Sequence, residues 1–397
     1  MNSSSHNGQT KTPDLPTLPS PTPEEQAHQG EVTQRLREEI AASGGAISFT
    51  RFMELALYAP GLGYYAAGKQ KFGAHGDFIT APELGPLFAR CLARPSRSLL
   101  SELGGGDILE AGAGSGALAA DLLLELESLG QLPERYFILE LSADLRARQT
   151  ETIRRKAPHL FGRVHWLAGL PREFRGLVLA NELLDAMPVT RFRVTESGIQ
   201  ESYVGWENQG FVWRDKPADE PTRTRVEALG LPAGYLSEVN FLAEAWVRSL
   251  AGILNQGALL LIDYGFPRAE YYHPQRAQGT LMCHYRHRAH DDPLRFVGLQ
   301  DITAHVDFTA IAEAGTGAGL ALLGYTSQAA FLLGSGLGEI LAASDPGDAR
   351  AHLALTQQVK KLTLPHEMGE LYKVMALGRG LRDTLPGFTL QDRCGRL

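Results

Sequence analysis

Apolar and polar positions along the chain fall into distinct textures. From Asp107 onward, short apolar runs alternate with longer stretches in which apolar residues recur at helical spacing. Asp107–Glu110 reads as a strand and Ala117–Leu129 as a helix. Tyr136–Leu141 is a strand and Ala143–Lys156 a helix, and Val164–Leu167 and Leu177–Ala180 are further strands. Such alternation predicts an α/β fold with a parallel, doubly wound sheet. Its ligands belong at the carboxyl ends of the strands, at the switch point after the first of them. After Val189 the period changes to two. Thr190–Val194, Ile199–Val204 and Phe211–Trp213 read as antiparallel strands of an insertion. Ser237 is placed to cap a helix over Glu238–Leu254, and Ala258–Ile262 is a buried strand that runs into Asp263-Tyr-Gly265. Asp307–Ala314 is a further helix. Leu320–Gly324 and Tyr372–Gly378 are the strands expected to close the sheet, with helices Ser327–Leu333 and Asp348–Lys361 between them.

Ahead of this core, residues 1–24 are rich in Ser, Thr, Pro and Gln and have no apolar period, so a disordered tail is expected. Glu24–Ala42 reads as a helix, Ser48 caps another over Phe49–Tyr58, and Pro82–Leu103 is a third. Between them, Tyr64 to Glu83 mixes glycines, aromatics and polar groups without a period, a texture common in functional loops. The expected organisation is a tail to residue 24 and an N-terminal helical or lid region over 25–105. A core follows over 106–380, with insertions at about 189–236 and 264–306, and then a C-terminal tail over 381–397.

Composition narrows the function. A hydrophobic fraction of 44% suffices for a substantial core. The net charge of −7 speaks against a general nucleic-acid binder. Three widely spaced cysteines suggest no disulfide framework, and no apolar run reaches the length a membrane span needs. Residues 1–24 lack both the Arg-rich pattern of a mitochondrial transit peptide and the apolar core of a secretion signal.

The candidate chemistry gathers at Ile108–Leu118, where a strand breaks into Gly112, Gly114 and Gly116 before a helix begins. Glycines there let the backbone approach a ligand and adopt positive φ. The turn satisfies the spacing of both nicotinamide-binding and S-adenosylmethionine-binding proteins, and a purely structural turn has the same form. Glu110, at the strand end, would repel a pyrophosphate but suits the ammonium of S-adenosylmethionine. Glu140, at the next strand end, stands where a ribose-binding carboxylate belongs. Gly169 and Asn181 also fall at strand ends, and Thr80 and Leu170 complete the expected cofactor set.

Asn181-Glu-Leu-Leu-Asp-Ala-Met-Pro188 follows a buried strand and places Glu182 and Asp185 on one side of a helical turn. Carboxylates so placed could grip the N–H groups of a cationic acceptor, or could simply decorate a helix start. Asp263, Tyr264, Tyr65, Glu83, Tyr285 and Arg286 are candidate substrate contacts. Cys283, His284, His287 and His290 could be drawn as a metal site, but no C-x-x-C pair accompanies them, so a non-metal binding face is expected. A Ser-His-Asp hydrolase is excluded for want of a G-x-S-x-G elbow.

These blocks carry a resemblance. Tyr58-Ala-Pro-Gly-Leu-Gly-Tyr-Tyr65, Gly76-Asp-Phe-Ile-Thr-Ala-Pro-Glu83, Glu110-Ala-Gly-Ala-Gly-Ser-Gly116, Glu140-Leu-Ser142, Asn181–Pro188, Asp263-Tyr-Gly265 and Asp301-Ile-Thr-Ala-His-Val-Asp-Phe308 resemble the MidA-type family of S-adenosylmethionine-dependent methyltransferases. Mitochondrial members of that family are protein arginine methyltransferases that assist assembly of respiratory complex I. The resemblance implies a class I methyltransferase, Rossmann-like core, with Gly112, Gly114 and Gly116 lining the cofactor and Glu140 on its ribose. It also implies Asn181 and Glu182 at the transfer site and a loop over Gly76–Glu83 covering the cofactor. The expected acceptor is a protein side chain, arginine first. A non-catalytic assembly factor that retains the cofactor, and a nicotinamide-linked oxidoreductase, are the competing functions. The Tyr285-Arg-His-Arg288 segment looks like bacterial members, which points to a bacterial cytoplasm, with the mitochondrial matrix as the alternative.

Overall fold

The computed structural model describes residues 18–67, 80–345, 347–382 and 384–397. Seven strands build the central sheet: β1 (Asp107–Ala111), β2 (Tyr136–Leu139), β3 (Val164–Leu167), β4 (Phe174–Asn181), β5 (Leu254–Phe266), β6 (Ala321–Ser327) and β7 (Tyr372–Arg379). Their spatial order is β6-β7-β5-β4-β1-β2-β3, with the short strand Val306–Asp307 added beside the end of β5. β1 to β5 are mutually parallel, as the alternating pattern predicts. The last strand departs from the all-parallel expectation: β7 slots between β5 and β6 antiparallel to both. The sheet is therefore mixed, and the helices Gln328–Gly334, Leu337–Ala342, Ala349–Thr363 and Met368–Leu371 lie between β6 and β7.

Side chains alternate across this sheet and fill two apolar layers. Ile108, Leu177, Leu179, Leu260 and Val374 face the layer made with helices Leu87–Leu103 and Ala117–Ser128. Leu109, Val178, Leu259, Leu261 and Met375 face helices Phe241–Ile253 and Phe308–Gly317. Each fully buried side chain of this size contributes about 1.5–3 kcal/mol, so the strand ends sit on a stiff platform.

A second layer covers those ends. The insertion forms a five-stranded antiparallel sheet from Thr190–Thr195, Gly198–Glu207, Gly210–Pro217 and Leu236–Val239, joined by the N-terminal strand Ala46–Ser48. A three-stranded sheet follows from Met282–Tyr285, Arg288–His290 and Asp301–Thr303. Helices Pro23–Ala42 and Phe49–Tyr58 share one apolar cluster with both sheets, through Leu36, Phe52, Val204, Cys283 and Ile302.

Two element expectations need correction. Ser237 and Glu238 lie within the strand Leu236–Val239, not at the start of a helix; pairing with Thr190–Arg193 overrides their local preference. Asn240 caps the helix instead, accepting from Ala243 N. The helix expected over Pro82–Leu103 is broken: Ala81–Leu84 is a 3₁₀ turn, Gly85 takes φ of 138°, and the α-helix starts at Leu87 after Pro86. Proline disfavours helical φ/ψ in the residue before it and lacks an N–H to continue the ladder.

Candidate functional site

A cavity of about 710 Å³ opens where β1, β2, β4 and β5 end beneath the covering layer. Its size suits a cofactor with room for part of an acceptor. One end is built by the glycine turn. Gly112, Gly114 and Gly116 take φ of 73°, 51° and 82°, a region that other residues enter only under strain. A side chain at Gly112 would meet Leu183 at 2.9 Å and one at Gly116 would meet the Gln149 backbone at 3.0 Å, whereas at Gly114 no atom of the described residues lies within 4 Å. Ser115, inside the turn, donates to the Glu83 carboxylate, which ties the 3₁₀ segment to the glycines.

Glu140 stands just past β2 and is held from two sides. It accepts from Ser142 N at 2.9 Å and from Gln149 Nε2 at 3.1 Å. Gln149 Nε2 also reaches Gly114 O at 3.1 Å, and Gln149 Oε1 accepts from Trp166 Nε1 at 2.9 Å. One buried amide therefore sets both the turn and the acid. Glu110 lies at the cavity floor, 3% exposed, and accepts from the Tyr136 hydroxyl at 2.7 Å. Burial pushes its carboxyl up to about 7, against the pull of that hydrogen bond.

The other end is acidic and aromatic. Strand register sets Asn181 beside Ile262 and Tyr264 beside Tyr372, so β4, β5 and β7 end together. Glu182 follows with φ of 52°, a strained conformation costing about 1–3 kcal/mol that the surroundings must enforce. They do so through its carboxylate, which accepts from Tyr372 Oη at 3.0 Å, Asn181 Nδ2 at 3.2 Å and Ala81 N at 3.4 Å. Burial, with Asp185 beside it, raises Glu182 to about 8, and burial raises Asp185 as well. Asn181 Oδ1 and Asp185 Oδ1 are buried with no partner among the described residues. Tyr58 and Tyr65 stack at 5.4 Å along the wall, with the Tyr65 hydroxyl donating to Asp301 at 2.9 Å and that of Tyr58 to Ala186 O at 2.9 Å.

Comparison with known proteins identifies the cofactor. The model of a methyltransferase family, described as S-adenosyl-L-methionine-dependent, matches residues 88–326. The chain belongs to this family. A protein of Burkholderia thailandensis crystallised with S-adenosyl-homocysteine is similar at 50% identity and a TM-score of 0.93, over 96% of this chain and 100% of that one. Among curated relatives, the mitochondrial protein arginine methyltransferase NDUFAF7 of Danio rerio is 29% identical over 87% of this chain and 86% of its own length. Its Homo sapiens counterpart is 27% identical over 84% of this chain and 80% of its own length. The protein is thus a methyltransferase of class I type, and S-adenosylmethionine is its cofactor.

The structure gathers most of the residues singled out from the sequence around this one cavity. Thr80, Glu83, Glu110, Gly112, Gly114, Glu140, Asn181, Glu182, Asp185, Tyr65 and Tyr264 line it. Gly116 stands one step behind, against Gln149. Gly169 and Leu170 are not among the lining residues; Gly169 is exposed and Leu170 packs on the second apolar layer. Three substrate assignments are corrected. Asp263, 1% exposed, points into the protein, where Oδ2 accepts from the N–H groups of Leu183, Leu184 and Asp185 at 3.2, 2.9 and 3.2 Å. It shapes the Asn181–Pro188 turn from beneath. Tyr285 packs on Phe296, and Tyr285 and Arg286 both bond Glu25 of the first helix. The reason is the period of a strand: in Met282–Tyr285 the residues that line the cavity are Met282 and His284, while Cys283 and Tyr285 are sealed on other packing. Among the described residues no group of three or more His, Cys, Asp or Glu is arranged to hold a metal ion. Of the loop expected to cover the cofactor, residues 76–79 lie outside the described residues.

The sequence reading missed Gln149, Tyr58, Asp301, His305 and Tyr372, and His284, drawn there within a non-metal binding face, does line the cavity. Tyr58, Asp301 and His305 lay inside matching blocks and could have been found there. Gln149 sits on a polar helix and Tyr372 at a strand start, where nothing local marks them.

Proposed function

We propose that this enzyme methylates a cationic side chain of a protein, with arginine the preferred acceptor. The observation that carries the reading is the acceptor end of the cavity, where Glu182 and Asp185 face a wall of tyrosines and buried Asn181 Oδ1 and Asp185 Oδ1 lack partners among the described residues. Unpaired buried acceptors cost about 1–3 kcal/mol each, and a ligand rich in N–H donors removes that cost. A guanidinium is such a ligand, and aromatic faces also favour it. The names of the mitochondrial relatives support arginine.

S-adenosylmethionine supplies an electrophilic methyl group on a sulfonium. Gly112, Gly114 and Gly116 give its aminoacyl arm room, Glu110 offsets its ammonium, and Glu140, fixed by Gln149, takes the ribose hydroxyls. No ordinary base deprotonates a guanidinium beforehand. Glu182 and Asp185 instead grip its N–H groups and turn one nitrogen toward the methyl, and orientation of this kind is worth several kcal/mol of barrier. The raised proton affinity of Glu182 suits it to receive the proton the nitrogen gives up. Asn181 bridges the two halves, its amide N–H on Glu182 and its oxygen available to ligand.

Arginine-containing peptides incubated with labelled S-adenosylmethionine test the proposal: label in methylarginine supports it, and label only in neutral or acidic acceptors sinks it. The similarity to Burkholderia thailandensis proteins at 50% and 49% identity favours the bacterial cytoplasm as its location. No helix among the described residues is long and apolar enough to cross a membrane.

A further inference from the structure

We propose that His305 is a positioning residue of the acceptor site, its imidazole holding an N–H of the cationic side chain and so fixing which nitrogen faces the methyl group. The inference rests on the reading of the acceptor given above. His305 follows the strand Asp301–Thr303 and lines the cavity. Its backbone N–H donates to Thr280 Oγ1 at 3.1 Å. The ring lies flat on Phe266 at 5.3 Å and 6°, and meets Tyr264 edge-on at 5.0 Å. Tyr264 in turn meets Tyr372 edge-on at 5.5 Å, and Tyr372 bonds Glu182. The imidazole is therefore clamped by aromatic faces, a short chain of contacts away from the proposed transfer site.

What the clamp holds is a ring with an under-used nitrogen. Among the described residues Nδ1 is buried without a hydrogen bond of normal length, and the polar neighbour that acts on the ring is the backbone of Thr280. Proteins seldom leave a buried ring nitrogen idle, because burial without a partner costs free energy. Rotation cannot easily relieve this one, since the ring is stacked. Its charge state fits the task. Burial pushes the imidazolium down to about 4 against the pull of the Thr280 backbone, helped by Arg276 and Lys373 nearby, so the ring is neutral at physiological pH and one nitrogen carries a lone pair. A third anion in that place would drive Glu182 and Asp185 further toward their protonated forms. A neutral acceptor adds direction without adding charge. With Asp185 and Asn181 taking other N–H groups, three acceptors of different origin would define the plane of a guanidinium.

The test uses two variants that separate the lone pair from the packing. His305→Phe keeps a ring on Phe266 and Tyr264 and removes the acceptor, whereas His305→Gln sets an amide oxygen near the position of Nε2. For an arginine peptide, His305→Phe should raise KM about tenfold or more with S-adenosylmethionine affinity unchanged, and His305→Gln should recover most of that loss. In the wild type saturated with S-adenosyl-homocysteine, titration with ethylguanidinium should move the unprotonated ring-nitrogen resonance of His305 upfield. A wild-type KM in folded His305→Phe overturns the inference, and so does a His305→Gln variant as impaired as the Phe one. A wild-type enzyme that methylates only uncharged acceptors, with no response to ethylguanidinium, overturns the cationic acceptor itself and this inference with it.

Discussion

Gly114 is where cofactor binding and folding come apart. All three glycines of the turn need left-handed φ, but only at Gly114 would a side chain meet no atom of the described residues within 4 Å. Gly114→Val therefore adds backbone strain of about 1–3 kcal/mol, tolerable against a typical domain stability of about 5–15 kcal/mol. Its isopropyl group enters space that no described residue fills and that the proposed cofactor position uses. Overpacking there costs about 1–3 kcal/mol, and lost backbone hydrogen bonds to the ligand add a comparable amount, so affinity should fall roughly 30-fold or more. Gly116→Val is the control with the opposite balance. Its Cβ would press on the Gln149 backbone at 3.0 Å, and Gln149 holds both Gly114 and Glu140. That variant should lose folding and binding together. Calorimetry with S-adenosyl-homocysteine, beside thermal melts of both variants, reads the two effects separately. A folded Gly114→Val that binds with wild-type affinity would refute the placement of the cofactor on this turn.

Other consequences follow from the acids. Glu182→Gln should lower kcat at least ~100-fold while leaving S-adenosyl-homocysteine affinity within about threefold. The ionised form of Glu182 is the one that grips a cation, and its carboxyl is raised to about 8, so kcat/KM should climb from pH 6 and level above pH 8. Tyr372→Phe removes a hydrogen bond that favours the anion and should move that limb to higher pH. Folding stability runs the other way. Glu110 and Glu182 hold protons more tightly in the folded than in the unfolded chain, so the ligand-free protein should lose stability as pH rises from about 4.5 through 7 and 8, measured by denaturant titration. Bound S-adenosylmethionine, a cation beside Glu110, should flatten that loss. Asp263→Ala strips the acceptor from three backbone N–H groups and should destabilise the protein by about 3 kcal/mol or more, lowering Tm before any effect on chemistry is reached.

The core sheet was legible because its signals are local. Strand, glycine turn and helix at Asp107–Ser128, and the acids closing β1 and β2, follow from periodicity and from the conformations that glycine alone takes without strain. The covering layer was less so. Ala46–Ser48 and Leu236–Val239 are too short to show a period, and each becomes a strand only because a distant partner pairs with it. The same holds for side-chain direction. Asp263 reads from sequence as a free carboxylate at a strand end, and only the backward turn of Leu183–Asp185 shows that three N–H groups consume it. In the Tyr- and Arg-rich stretch after Met282 the composition is informative but the register is not. A shift of one residue decides whether His284 or Tyr285 lines the cavity.

The central claim is that this acidic, tyrosine-walled cavity delivers a methyl group to a cationic protein side chain. Wild-type enzyme and Glu182→Gln, each saturated with methyl-labelled S-adenosylmethionine, would be given a peptide pool containing arginine, lysine, histidine, glutamine and glutamate, and mass spectrometry would locate the label. Label should appear on arginine with the wild type and almost nowhere with the variant. Label on glutamine or glutamate, or equal labelling by the two enzymes, would contradict it.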